Sequence, residues 1–113
     1  MENIFEIQDK TGRKICLTKR QWKHIRKKHP EVDAIEELEK TIKNPNRITN
    51  DFFDEAVAHY YKYFKYKKSP WKYLFILVKY LNGKGFVITA YLEKNIKWKT
   101  KHMKFFIMKR PTF

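Results

Sequence analysis

The strongest constraint on this chain is a change of period part-way along it. From about Val32 to Lys43 the apolar residues Val32, Ile35, Leu38 and Ile42 recur at helical spacing. After Ile48 they come instead in aromatic and β-branched runs: Ala56–Phe64 (AVAHYYKYF), Lys72–Leu81 (KYLFILVKYL) and Gly85–Leu92 (GFVITAYL). Such runs are typical of strands. Asn82-Gly83-Lys84-Gly85 is a hairpin signal between the last two, and Lys67-Lys68-Ser69-Pro70 supplies a turn between the first two. Three strands in series joined by short turns form an antiparallel meander.

The region before the meander is helical apart from its start. FEIQDKTGRKICLT reads as a hairpin, with Phe5 and Ile7 alternating with polar residues, a turn over Asp9–Gly12, and Ile15 with Leu17 resuming the alternation. Thr18-Lys19-Arg20-Gln21 fits a capping box, in which the threonine hydroxyl and the glutamine side chain satisfy each other's backbone donors. Trp22, Ile25 and His29 form one edge of the helix that begins there, and Pro30 breaks it at His29-Pro30. A second helix over Val32–Lys43 ends at Asn44-Pro45-Asn46. Helices and strands segregated in this way predict an α+β domain, its N-terminal hairpin and two helices packed on one face of a four-stranded antiparallel sheet. One domain over residues 1–113 is expected, with a core over about 14–93 and a basic C-terminal extension over 94–113 in which Phe105–Met108 offers an edge strand.

Alternation assigns strand faces. Phe86, Ile88, Ala90 and Leu92 are expected under the helices, leaving Val87, Thr89 and Tyr91 on an open face. In the first long strand His59, Tyr61 and Tyr63 share one face, and Tyr60, Lys62 and Phe64 the other. Leu74, Ile76 and Val78 oppose Phe75, Leu77 and Lys79. The pairing between strands is left open at this level.

The formal net charge is +14, which favours a polyanionic partner, most simply nucleic acid or an anionic membrane surface. Basic and aromatic residues interleave in HYYKYFKYKK, as suits single-stranded RNA: bases stack on rings and phosphates meet ammonium groups. No run approaches the length of a membrane helix. MENIFEIQDK has neither the basic start nor the apolar stretch of a signal peptide, so a cytoplasmic protein without membrane contact is expected. Cys16, the one cysteine, excludes an internal disulfide and reads as a small buried hydrophobe.

Two histidines carry the chemical interest. His24 lies among Arg20, Lys27 and Lys28, where cationic neighbours favour a neutral imidazole able to accept a proton. His29 sits at the helix end, where the dipole favours the protonated form, although His-Pro at such an end commonly caps carbonyls. A base and an acid beside cations are what cleavage through a ribose 2′-hydroxyl needs. Asp51, Asp54 and Glu55 with His59 could hold Mg²⁺ but read more simply as loop acids, so neither metal nor other cofactor is expected. Phosphate-loop, zinc and dinucleotide motifs do not occur.

Taken in order, L-T-x-x-x-W-x-H-I-x-x-x-H-P-E from Leu17, I-x-N-P-N-R-I from Ile42, the Tyr60-Tyr61-Lys62 strand and F-V-I-T-A-Y from Phe86 resemble a group of small phage- and toxin-type nucleases. Their fold is shared by barnase, EndoU, colicin and RelE ribonucleases (BECR), and the resemblance is to its phage-associated branch. It implies a metal-independent endoribonuclease, a toxin or phage effector, with catalytic residues among His24, His29, Tyr61, Thr89 and Tyr91. His24 is the expected base, Tyr91 or His29 the proton donor, and Thr89 the residue that orients a phosphate oxygen. Arg20, Lys27, Lys28, Lys62, Lys79, Lys94 and Lys97 are the expected nucleic-acid contacts. Two alternatives stay open: a non-catalytic RNA- or DNA-binding domain on the same fold, and a toxin-like interaction protein held by an acidic antitoxin or inhibitor.

Overall fold

Asn82 and Gly83 adopt left-handed backbone, with φ of 54° and 79°, the pair of positive values that a two-residue hairpin turn with right-handed twist needs. They close β5 (Tyr73–Leu81) onto β6 (Lys84–Glu93) in the most extensive ladder among the described residues. The computed structural model describes residues 2–96; the expected edge strand at Phe105–Met108 and the contact expected of Lys97 lie outside them. Before this hairpin come β1 (Asn3–Gln8), β2 (Lys14–Thr18), α1 (Lys19–Lys28), α2 (Ile35–Lys43), β3 (Arg47–Asn50) and β4 (Val57–Tyr63).

The strands form one six-stranded sheet in the order β1-β2-β6-β5-β4-β3. This corrects the expected four-stranded antiparallel sheet in two respects. The N-terminal hairpin does not stand apart: β2 pairs parallel to β6, Lys14 opposite Lys84 and Cys16 opposite Phe86. That pairing satisfies an edge that would otherwise be bare and turns Ile15 and Leu17, both fully buried, into the core. The second addition is β3, a four-residue strand antiparallel to β4 that comes directly after Asn44-Pro45-Asn46.

Both helices lie on one face, as expected. Ile25 of α1 and Leu38 and Ile42 of α2 join Ile15, Leu17, Tyr60, Leu74, Ile76, Val78, Val87 and Ala90 in a single buried cluster. Helix α2 starts at Ile35, three residues later than its periodicity suggests, because Val32 is buried in the turn before it. Its carbonyl is taken by the Arg26 guanidinium at 2.9 Å.

In β6 the face assignment needs correcting. Leu77 lies opposite Thr89 but Val78 opposite Val87, so Ile88 is an extra, unopposed residue, a β-bulge. The bulge shifts the alternation by one. Gly85 and Val87 before it, and Ala90 after it, are the buried residues, whereas Ile88 is exposed. Gly85 is needed where it stands: a Cβ there would come within 2.9 Å of both the Tyr80 ring and the Val78 side chain.

Tyr80 is held in turn by a polar knot under the β1–β2 turn. The Tyr60 hydroxyl donates to Asp9 Oδ2 at 2.5 Å and is closely hydrogen-bonded to the Tyr80 hydroxyl. The Arg13 guanidinium stacks 4.2 Å from the Tyr80 ring centroid. Asp9 Oδ1 accepts from the Thr11 and Arg13 amides and from the Thr11 hydroxyl. Burial of Asp9 opposes its ionisation, but the donors from Tyr60, Thr11 and Arg13 outweigh burial and hold its carboxyl below the ordinary value. A carboxyl depressed on folding stabilises the protein above its unfolded pKa, and that contribution disappears as pH falls through the folded value.

Asp9→Asn is therefore expected to cost about 1.5–3 kcal/mol at pH 7, the range for hydrogen bonds to a charged group. The deficit should shrink as pH falls below about 4, where wild type loses the same contribution; urea unfolding at pH 7 and pH 3 checks both points. Gly85→Ala should cost about 1–3 kcal/mol through overpacking against Tyr80 and Val78, read from thermal unfolding.

Candidate active site at the α1–β6 seam

Helix α1 takes over the edge of β6 where β2 leaves it. The Thr18 hydroxyl caps α1 by accepting from the Gln21 amide at 3.1 Å, as the sequence predicts. The other half of the expected capping box does not form. Gln21 Nε2 instead donates 2.5 Å to the carbonyl of Ile88, the bulge residue, and so ties the helix to the strand. Five helical residues rise about 7.5 Å, and three strand residues about 10 Å. His24 accordingly lies near Ile88 and His29 near Tyr91, with helix and strand running in the same direction.

The two histidines occupy different surroundings. His24 is exposed in a cleft of about 510 Å³ that Thr18, Arg20, Phe86 and Ile88 also line. Arg20, Lys27 and Lys28 are exposed along the same helix and form no ion pair among the described residues. His29 ends the helix, its amide still bonded to the Ile25 carbonyl at 2.7 Å. Its side chain makes no hydrogen bond to a carbonyl among the described residues; the turn that follows is held instead by Arg26 Nη1, at 2.6 Å from Pro30 O and 2.9 Å from Val32 O. The imidazole is thereby left to lie 5.1 Å from the Tyr91 ring, centroid to centroid, with Nδ1 3.7 Å from Glu31 Oε2.

Tyr91 opens a chain of rings across the sheet. Its ring lies 4.7 Å from Phe75, which in turn meets Tyr61 edge-on at 5.2 Å and His59 at 5.1 Å. The ladder explains the order: Tyr91 opposes Phe75, and Phe75 opposes Tyr61. Thr89, two residues before Tyr91 and half-buried, shares its face and opposes Leu77. Burial first, and then the Glu93 carboxylate, push the Tyr91 phenol up, so it is protonated at neutral pH and can give a proton away.

This face is not open along its whole width. His59, Phe75 and Tyr61 are buried, Tyr61 completely. His59 Nε2 lies 3.1 Å from Asp51 Oδ1, while its Nδ1 and the nearby Thr49 hydroxyl are buried with no hydrogen-bond partner among the described residues. Asp54 does not join them, since its carboxylate is paired closely with Lys79. That contact holds the Asp54 carboxyl below its ordinary value. Among the described residues no three His, Cys, Asp or Glu side chains converge as metal ligands would.

The remaining expected contacts disperse. Lys62 points to the helix-covered face, where its Nζ donates 2.9 Å to the Asn44 carbonyl at the end of α2. Lys79 is occupied by Asp54, and Lys94 lies over the Trp71 ring at 5.2 Å. The structure thus brings together His29, Tyr91 and Thr89, with Tyr61 one ring further in, and sets His24 and Arg20 in the adjoining cleft. Three contributors escape a reading of the sequence: Phe75, Arg26 and the Ile88 bulge. Only Arg26, a guanidinium four residues before Pro30, leaves a usable signal there.

The sequence model of the family described as phage-Barnase-EndoU-ColicinE5/D-RelE like nuclease2 matches residues 3–106. This is nearly the whole chain, which therefore belongs to that BECR-type nuclease family. No curated protein and no solved structure matches it.

Arg26→Met keeps the aliphatic stem and removes the donors that hold the turn after His29. It should cost about 1–3 kcal/mol for two carbonyls losing a charged partner and shift the ring-proton NMR signals of His29 and Tyr91. Unchanged ring signals in a destabilised variant would show that the turn holds His29 without Arg26.

Proposed function

We propose that this nuclease-family member is a metal-independent endoribonuclease that cuts RNA through the ribose 2′-hydroxyl, with His29 and Tyr91 as its acid–base pair. The observation that carries the reading is their contact, 5.1 Å between rings, at the mouth of a cationic helix. The phosphodiester lies over the seam between α1 and β6. His29 takes the 2′-hydroxyl proton, the 2′-oxygen attacks the adjacent phosphorus, and the protonated Tyr91 phenol delivers its proton to the departing 5′-oxygen. Thr89 orients a non-bridging oxygen. Arg20 and the exposed Lys27 and Lys28 stabilise the charge that gathers on phosphorus. His24, beside Arg20, guides the neighbouring phosphate. This redistributes the expected roles, since it is His29 rather than His24 that touches Tyr91.

The fold supports the reading in another way. Tyr91 stacks on Phe75, and Arg26 secures the turn after His29, so both reacting groups sit on rigid supports before substrate arrives. A toxin or phage-effector role and an acidic inhibitor protein fit the uncompensated basic helix, which such a partner would cover. The second reading, a binding module without turnover, is favoured by that same row of exposed cations.

Purified protein incubated with labelled mixed-sequence RNA in excess EDTA should yield fragments ending in 2′,3′-cyclic phosphate. His29→Ala and Tyr91→Phe should each slow cleavage by about 10²–10⁴-fold, the usual contribution of a general acid or base, with a smaller loss for His24→Ala. Intact RNA that is nonetheless retarded on a gel would replace the enzyme with the binding module. Cleavage only when Mg²⁺ is restored would reject the metal-free chemistry.

A further inference from the structure

Behind His29 the surface sinks into a second cavity of about 620 Å³. One wall is the segment between the helices, which contributes Glu31 and Asp33. The other is the β4–β5 connection, with Tyr66, Lys68 and Trp71, and Leu92 forms the floor beside Tyr91. Tyr66 and Trp71 are exposed by 66 % and 44 %, two large rings presented to solvent. They are nevertheless firmly held. The Tyr66 hydroxyl donates 2.5 Å to Glu37 Oε2, and Lys67 Nζ pairs with Glu37 Oε1 at 2.8 Å. The Lys67 and Glu37 side chains are only 13 % and 12 % exposed, so the pair anchors the connection to α2 in a largely water-free setting. Bonding to Glu37 pushes the Tyr66 phenol up to about 12, so it remains a donor in this arrangement at any ordinary pH.

We infer that this cavity is a nucleobase subsite, receiving the unpaired base next to the cut and preferring bases that carry an amino group to uracil. The inference rests on the reading of His29 and Tyr91 as the cutting pair. Continuity places the base: Glu31 reaches His29 on one side and lines the cavity on the other, while Leu92, on the helix-covered face of β6, puts the cavity round the strand edge from the Tyr91 phenol. A nucleotide whose phosphate lies at the seam therefore has its base within reach of the cavity. Exposed Tyr and Trp rings on an anchored connection are stacking platforms, which tolerate any base.

Selectivity comes from the carboxylates. Asp33 forms no ion pair among the described residues, and a carboxylate offers only acceptors. Adenine, cytosine and guanine can each donate an exocyclic amino hydrogen to it. Uracil has only an imino N–H, between two carbonyl oxygens that a carboxylate repels. Phosphate is excluded from the acidic wall for the same reason and is met at the rim by Lys68 and Lys94, the latter 5.2 Å over the Trp71 ring.

The test is titration of the full chain with AMP, CMP, GMP, UMP and ribose 5-phosphate, monitored by tryptophan fluorescence. Saturable quenching by the three amino-bearing nucleotides is expected, with UMP roughly 10-fold weaker, the order of one good base contact, and no response to ribose 5-phosphate. Trp71→Ala should abolish the quench. Asp33→Asn, an exposed substitution that leaves the fold intact, should bring UMP level with the others. Equal quenching by all four nucleotides that Asp33→Asn leaves unchanged, or quenching by ribose 5-phosphate alone, overturns the subsite. Because the titration requires no turnover, base binding without RNA cleavage would sink the nuclease chemistry and spare the cavity. Cleavage without quenching would do the reverse.

Discussion

The three-residue parallel pairing of β2 with β6 governs the rest of the architecture. It draws the N-terminal hairpin into the sheet and then stops, because Thr18 caps a helix instead of continuing the strand. The second half of β6 is left with a vacant edge, and α1, fixed by the bond from Gln21 to the Ile88 carbonyl, occupies it. Helix and strand then run side by side, each carrying half of the proposed chemistry. A longer β2 would have continued the ladder along β6 and held the histidine helix away from Tyr91.

Much of this architecture is legible in the sequence. The hairpin turn at Asn82-Gly83, the Thr18 cap, the break at His29-Pro30 and the segregation of helices from strands each result from local chemistry. Long-range pairing does not. Nothing in KIC says that it will pair in parallel with KGF seventy residues later, since a parallel partner leaves no turn signal. The Ile88 bulge is hidden for a related reason. Strict alternation through FVITAY is the simplest reading of its residues, whereas β6 inserts a residue in the middle and exchanges the faces of Phe86 and Val87 relative to expectation. The assignment of Thr89 and Tyr91 to the far face holds because they lie beyond the bulge, with Ala90 buried between them.

The site residues divide along the same line. His29 and Tyr91 meet because a helix end and a strand interior are brought together by the fold, and their residue types alone mark them as candidates. Lys62 and Lys79 are candidates on charge alone. Charge says nothing of direction, and one caps α2 while the other pairs with Asp54. Burial of the Tyr61 and His59 rings likewise depends on Phe75, which one strand places between them and Tyr91.

The bulge also constrains how β6 can vary. Ile88 is exposed and its side chain opposes nothing across the ladder, so many residues would serve there. Its presence as a unit of length is another matter. Pairing Ile88 into the ladder would turn Thr89 and Tyr91 toward the helices and drive Ala90 outward, whereas removing it would keep those faces but delete the carbonyl that Gln21 grips and untie α1 from the strand. Chains descended from a common ancestor should therefore differ freely in the identity of this position and hardly at all in the spacing around it. Insertions and deletions, not substitutions, would be the changes that selection removes from this strand.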